Sequence, residues 1–311
     1  MDLAIVVVSY NTRELTANCL ASVYADLQDA KLDAHVWVVD NASPDGSATM
    51  VADRFPQATL LAQDTNLGFA AATNLGLQAA LASAAPPRHL LLLNPDTIVR
   101  PGALTALVDF MDATPLAGAT GARLFYGDGS FQHSAFRFPS LMMAILDFWV
   151  INHRLLNSRL NGRYPRRLYE AEEPFEIDHP LGAAMIIRRE ALDQVGLLDE
   201  GYFIYCEEID WCMRAKAANW RIYCVPRAEI VHLGGQSTGQ FRARMFQALW
   251  ESRFRLFTKH YSRAYQRAVR WIVRAGLRTE ATRLRAQVDA GELMAEEAER
   301  RISAYRAVMA M

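Results

Sequence analysis

The chain has little cysteine. Cys19, Cys206, Cys212 and Cys224 are the only four in 311 residues, none stands at CxxC spacing, and each lies in an apolar stretch. They read as reduced, structural thiols rather than a disulfide framework. It also lacks any uninterrupted run of ~20 apolar residues, the length a membrane span requires. Even Leu141 to Ile151 is broken by Asp147 and ends in Asn152, His153 and Arg154. No basic region or cleavage site accompanies the apolar run that ends at Val8, so the N-terminus reads as a strand and not an export signal. A cytoplasmic protein is expected, free or peripheral on the inner face of the cell membrane. No excess of one charge is present either: 33 Lys and Arg oppose 34 Asp and Glu, a net charge of -1, which excludes a nucleic-acid-coating chain. Tandem repeats and low-complexity tracts are absent.

What remains is ordinary globular composition, 51% hydrophobic and 22% charged. Ala4 to Val8, Val36 to Val39 and Leu90 to Leu93 are short runs rich in Val, Ile and Leu, the pattern of strands buried on both faces of a parallel sheet. Helical patterns separate them over Glu14 to Leu27, Ser47 to Arg54 and Ala70 to Ala84. The first half therefore reads β-α-β-α-β, an α/β fold with a Rossmann-like, mostly parallel sheet flanked by helices. Ligands of such sheets bind beyond the carboxyl ends of the strands, where Ser9-Tyr10-Asn11, Asp40-Asn41-Ala42-Ser43 and Asn94-Pro95-Asp96 fall. Phe136 to Glu176 is less regular and reads as an insertion or acceptor region. Gly182 to Ile187, Tyr202 to Ala217 and a last strand near Ile222 to Val225 close the catalytic half. Two domains are expected, 1–240 and a helical extension over 241–311.

Each polar strand end has a plain structural reading beside the chemical one. Asn-Pro-Asp is commonly a turn with a capping Asp, yet a carboxylate there could anchor a divalent cation that neutralises a diphosphate leaving group. Asp40 could accept a hydrogen bond from a pyrimidine N–H, while Asp45 and Ser47 cap the next helix. Asn66-Leu67-Gly68-Phe69, with Asn74 and Gly76, places small residues where backbone could approach a ligand or simply start a helix. Glu207, Glu208 and Asp210 could supply a general base or merely form an acidic first helical turn.

Taken in order, Val7-Val8-Ser9-Tyr10-Asn11, Val39-Asp40-Asn41-Ala42-Ser43-Pro44-Asp45-Gly46-Ser47, Asn66-Leu67-Gly68-Phe69-Ala70, Asn74-Leu75-Gly76 and Leu93-Asn94-Pro95-Asp96 resemble the inverting family-2 glycosyltransferases of the GT-A fold. The likeness is greatest to their rhamnosyltransferase-type branch. It continues through Gly182 to Arg189, Gly196 to Glu200, Glu207 to Arg214 and Val231 to Gly235, covering residues 1 to about 240. The resemblance implies a nucleotide-diphospho-sugar donor, dTDP-L-rhamnose first and UDP-sugars second, and a cell-surface glycan or lipid-linked acceptor. Asp40 would contact the base, with Ser9, Asn66, Gly68, Asn94, Gly182 and Ala183 lining the donor pocket. Asp96 would hold Mg2+ or Mn2+, and His232 would add a metal or phosphate contact. The family pattern has Glu-Asp where this chain has Glu207-Glu208, so Glu208 inherits the base by position, with Asp210 as the substitute. Leu198 and His179-Pro180-Leu181 replace residues that are commonly aromatic in the family, on the side expected for the acceptor.

Two rival readings remain: a nucleotide-sugar-binding protein of the same fold that has lost catalysis, and a nucleotidyltransferase. The second lacks the Gly-rich phosphate loop expected after its first strand, since Ser9-Tyr10-Asn11-Thr12-Arg13 supplies none. The C-terminal stretch interleaves Trp250, Phe254, Phe257, Tyr261, Trp271 and Ile272 with Arg253, Arg263, Arg267, Arg270 and Arg274. This spacing suits either a basic amphipathic helix on an anionic membrane or a helix packed on its own domain or on a second subunit. Thr279 to Arg306 reads as a charged helical pair suited to packing or dimerisation.

Overall fold

The computed structural model describes residues 1–149, 152–234 and 242–311; Ile151, Gly235 and the boundary expected at 240/241 lie outside the described residues. In chain order the strands are β1 (Leu3–Ser9), β2 (Ala34–Asp40), β3 (Thr59–Ala62), β4 (His89–Leu93), β5 (Thr97–Val99), β6 (Ala117–Phe125), β7 (Phe131–Gln132), β8 (Ala135–Phe136), β9 (Phe175–Ile177), β10 (His179–Pro180), β11 (Ala184–Arg188) and β12 (Arg221–His232). The helices are α1 (Arg13–Asp29), α2 (Ser47–Arg54), α3 (Phe69–Leu81), α4 (Ala103–Ala113), α5 (Leu141–Leu146), α6 (His153–Leu156), α7 (Arg166–Glu170), α8 (Arg189–Val195), α9 (Glu207–Ala217), α10 (Arg242–His260), α11 (Arg263–Asp289) and α12 (Ala295–Ala310).

The chain divides into two compact units. The first comprises Met1–Arg137, Tyr164–Phe203 and the described residues from 207 to 234; the second comprises described residues of 138–163, 204–206 and 242–311. In the first unit the main sheet runs β3-β2-β1-β4-β11-β6-β12-β5, with β7 added beside β6 and β9 beside β12. β1 pairs in parallel with both β2 and β4, β2 with β3, and β12 with β6, whereas β11 runs antiparallel between β4 and β6. The sheet is thus mostly parallel and flanked by helices, as the sequence pattern led one to expect. All residues of β1 and β4 are buried, which is why their sequences show no polar alternation. Leu3, Ile5, Val7, Val36, Val38, Leu91, Leu93, Leu104 and Leu107 share one core, and full burial of each such side chain stabilises by about 1.5–3 kcal/mol.

One element differs from the sequence expectation. β12 extends from Arg221 to His232 rather than ending near Val225, because a register shift between Val225 and Glu229 takes Pro226 out of the ladder it cannot donate to. Within the stretch Tyr202 to Ala217 the helix α9 begins at Glu207, so that Glu207, Glu208 and Asp210 form its acidic first turn, after Tyr205 and Cys206 adopt φ of 70° and 67°. All four cysteines are buried, and no disulfide joins them.

The second unit is helical. Phe148, Trp250, Phe254, Phe257, Val269, Ile272, Val273 and Leu277 form its core, and Phe148 stacks on Trp250 with ring centroids 5.8 Å apart. The segment read as an acceptor region thus contributes Phe148 to the helical unit. Ser262 caps α11 by accepting from Tyr265 N at 3.3 Å. Of the aromatic residues singled out at the C-terminus, Trp250, Phe254 and Phe257 are buried in this core and Trp271 alone is exposed. Thr279 to Arg306 resolves into the end of α11 and most of α12. No helix among the described residues is long and apolar enough to cross a membrane.

Candidate active site

At the carboxyl end of β2 the chain turns sharply, with Ala42 at φ 66° and Asn11, on the neighbouring turn, at φ 54°. Asp40 is buried there. Its Oδ2 accepts a hydrogen bond from Ser43 N at 3.0 Å, which fixes the carboxylate, while Oδ1 is sealed from solvent and has no partner. A buried carboxylate oxygen left unpaired costs about 1–3 kcal/mol or more, and a ligand N–H is the partner that would recover it. Asn41 ties this turn to the next loop: its Nδ2 donates to Asn66 Oδ1 at 3.0 Å and Gly68 O at 3.2 Å, and its Oδ1 accepts from Leu67 N at 2.8 Å. Asn66 Oδ1 also accepts from Gly68 N at 2.9 Å. Gly68 has φ of 84°, and a Cβ there would lie 2.6 Å from Phe203 O. Ser9 is brought to the same strand end, but its hydroxyl is engaged by Thr12 at 3.1 Å and Thr16 at 3.0 Å. It shapes the turn from beneath.

At the end of β4, Asn94 N donates to Ala183 O at 2.9 Å, and Thr97 Oγ1 returns to Asn94 O at 2.7 Å. This locks the turn that carries Pro95 and Asp96. β12 pairs antiparallel with β5 so that His232 stands opposite Thr97, and Leu233 N donates to Asp96 O at 2.9 Å. The two side chains are both buried, with His232 Nε2 3.5 Å from Asp96 Oδ1. His232 Nδ1 lies 3.2 Å from Gln132 Oε1 on β7. With Nδ1–H donated to that amide oxygen, the lone pair on Nε2 faces the carboxylate, an electron-rich pair that a cation would reconcile. No cluster of three or more His, Cys, Asp or Glu ligands occurs among the described residues.

The third corner is acidic. Glu207 and Glu208 open α9, where the helix dipole favours carboxylates, yet burial outweighs it. Glu208 Oε2 is sealed from solvent without a partner although the residue as a whole is partly exposed, and burial pushes its carboxyl up to about 7. Glu207 is raised well above the usual carboxylate range by burial first and by the neighbouring Glu208 second, and its Oε2 is also unpartnered. Glu208 lies along Gly182, whose position would put a Cβ 3.4 Å from Glu208 Cγ. Because Gly182 and Ala183 lead into β11, paired Ala184 to Leu93, the acid is set beside the Asp96 turn. Asp210 is fully buried and differently engaged: Arg214 Nε donates to its Oδ2 at 2.8 Å and Tyr202 OH reaches its Oδ1 at 3.5 Å. Arg214 also donates to Val195 O and Leu197 O, so this pair holds the loop ahead of α9.

The rest of the surround is scaffolding. Asn74 Nδ2 donates to Leu198 O at 2.9 Å and Glu200 Oε1 at 3.0 Å, and its Oδ1 accepts from Leu198 N at 3.1 Å. Leu198 is therefore buried. His179, also buried, stacks on Phe136, and burial pushes its imidazole down to about 4, leaving it neutral at neutral pH. Gln132 carried no signal in the sequence, because its partner His232 lies 100 residues away, on a strand reached only across β6.

A mostly parallel sheet whose strand ends gather Asp40, the Asp96–His232 pair and Glu208 has the architecture of the GT-A glycosyltransferases. A family model described as Glycosyl transferase family 2 matches residues 4–196. The chain is 33% identical over 255 residues to the N-acetylglucosaminyl-diphospho-decaprenol L-rhamnosyltransferase of Mycobacterium tuberculosis, covering 78% of this chain and 80% of that one. Rhamnosyltransferase WbbL of Escherichia coli is 27% identical over 174 residues, 55% of this chain and 62% of its own. Among solved structures, the mannosyltransferase PcManGT from Pyrobaculum calidifontis, in complex with GDP-Man and Mn2+, shares the fold with a TM-score of 0.58 and 19% identity, covering 99% of this chain and 85% of that one. The chain belongs to glycosyl transferase family 2, and it is a rhamnosyltransferase-like glycosyltransferase.

Proposed function

We propose that this glycosyltransferase moves L-rhamnose from dTDP-L-rhamnose to a hydroxyl of a lipid-linked acceptor by a single inverting displacement. The observation that carries the reading is the unpartnered, buried carboxylate oxygen of Glu208 set beside the Asp96 turn. The identity to an L-rhamnosyltransferase whose name specifies an N-acetylglucosaminyl-diphospho-decaprenol acceptor supports the sugar and the acceptor class.

In this reading Asp40 Oδ1 accepts the pyrimidine N–H and thereby recovers the hydrogen bond it lacks. Asp96 fits a hard divalent cation, Mg2+ or Mn2+, since carboxylate oxygen suits both and the donor diphosphate supplies further oxygens, while the His232 imidazole favours Mn2+ of the two. Such an ion, when bound, neutralises charge on the departing nucleoside diphosphate. Glu208 takes the proton from the acceptor hydroxyl as that oxygen attacks the anomeric carbon, and the bond to the diphosphate breaks on the opposite face. A carboxyl raised toward neutrality by burial is a stronger base than one exposed to water. Asp210, held by Arg214, positions the helix that carries Glu208.

Transfer of radiolabelled rhamnose to an N-acetylglucosaminyl-diphospho-polyprenol, with and without Mn2+, tests the proposal. Turnover should need the ion, return when it is restored after chelation, and disappear in Asp96→Asn. Donor binding without any transfer would instead favour a sugar-nucleotide-binding protein that has lost catalysis.

A further inference from the structure

α11 buries Val269, Ile272, Val273 and Leu277 in the core of the second unit. From Arg263 to Thr279 it carries five arginines and no acid. At 3.6 residues per turn, Arg263, Arg267, Trp271, Arg274 and Arg278 fall within an arc of about 80° and extend over about 22 Å of helix. All five are exposed, and Trp271 is 71% exposed. None of these four arginines has a carboxylate partner among the described residues; Arg267 and Arg274 reach main-chain carbonyls of Arg263 and Met309. Like charges this close repel one another within a Debye length of ~8 Å, and an exposed indole gains nothing from water. In a chain of net charge -1 the stripe is a strong local departure.

We infer that this stripe is a docking face for an anionic lipid bilayer. The guanidinium groups meet lipid phosphates, and Trp271, on the same face, enters the headgroup layer where indoles are favoured. The aromatic side of the helix takes no part, because it is already packed within the protein. Attachment is therefore electrostatic, aided by one side chain, and not the insertion of an amphipathic helix. Each arginine near an anionic surface contributes roughly fivefold in affinity, the equivalent of about 1 kcal/mol. Four together give several hundredfold over a neutral bilayer. The inference does not depend on the sugar or on the metal, and it remains testable if the rhamnosyl reading fails.

The test is sedimentation of the full chain with vesicles of phosphatidylcholine alone or mixed with phosphatidylglycerol, at low and high salt. Binding is expected only to the anionic vesicles and should weaken with salt. Arg267→Glu with Arg274→Glu should reduce it by more than about a hundredfold, with circular dichroism unchanged since both positions are exposed. Trp271→Ser should weaken binding by a smaller factor that does not vary with salt. Equal binding to both vesicle types, or unchanged binding by the double variant, overturns the proposal. So does a halved solution mass of that variant, which would make the stripe a contact between two copies. Tighter binding to a single-stranded oligonucleotide than to anionic vesicles at equal salt overturns it in favour of nucleic acid.

Discussion

His232 Nε2 stands 3.5 Å from Asp96 Oδ1 while the opposite ring nitrogen is held 3.2 Å from Gln132 Oε1. Gln132 thereby chooses which nitrogen faces the carboxylate. Outer partners of metal-ligating histidines typically account for 10–100-fold in metal affinity. Gln132→Leu, which keeps the volume and removes the acceptor, should weaken Mn2+ binding by about that range, read by Mn2+ electron paramagnetic resonance titration with nucleotide present. An unaltered affinity would remove Gln132 from the site.

Glu208 should set the acidic limb of the pH–rate profile. Its carboxyl must be ionised to accept a proton, so turnover should rise with pH through about 7. Glu208→Gln should lower kcat by about 10²–10⁴-fold, while Glu208→Asp retains part of the rate. A rate that is flat between pH 5 and 8 in the parent protein would count against this base.

The same two acids tie stability to pH. Glu207 and Glu208 ionise at higher pH in the folded chain than their ordinary value of 4.5. The folded state therefore binds more protons over that window, and stability falls as pH rises from about 4.5 toward 7. Glu207→Gln removes one of the two groups, and its urea midpoint should decline less over this range than that of the parent. A steeper decline would contradict the buried placement of this carboxyl.

Asn74 makes three hydrogen bonds to Leu198 and Glu200. Asn74→Ala leaves the Leu198 amide and carbonyl without their partners, and a destabilisation of about 2–6 kcal/mol is expected at about 1–3 kcal/mol per stranded buried group. Chemical denaturation measures it. A change below about 0.5 kcal/mol would show that water replaces the side chain.

In the second unit, Gly276 of α11 faces the ring of Phe148 with no room for a Cβ. Gly276→Ala should destabilise this unit by roughly 1–3 kcal/mol through overpacking, despite the better helix propensity of alanine. Combining it with Phe148→Leu should restore part of the loss. A stabilised single variant would mean that the ring shifts freely.

The strand ends were legible because β1, β2 and β4 are apolar on both faces and stop abruptly in polar residues. β6 was not, since Ala117-Gly118-Ala119-Thr120-Gly121 has the letters of a loop; its glycines are there to admit Trp220 and Pro180. The sequence left Glu208 and Asp210 as alternatives, and only side-chain placement shows one oxygen unpartnered and the other carboxylate bound by Arg214. Ser9 illustrates the reverse case: its position at the strand end was readable, but the pull of Thr12 and Thr16 on its hydroxyl was not. Helical spacing marked the C-terminal aromatics without saying what they pack on, and most of them face Phe148 and its neighbours.

The contact between Gly68 and Phe203 limits how this loop can diverge. Any side chain at 68 must adopt a left-handed backbone and push against Phe203 O, which also accepts the amide of Phe69 at 2.6 Å. A single change at 68 therefore disturbs two loops at once, and substitution there is costly in isolation. Diversification has a cheaper route through Phe203, whose exposed ring can be exchanged while its carbonyl stays in place. A library meant to diversify this loop would keep 68 fixed and vary 203.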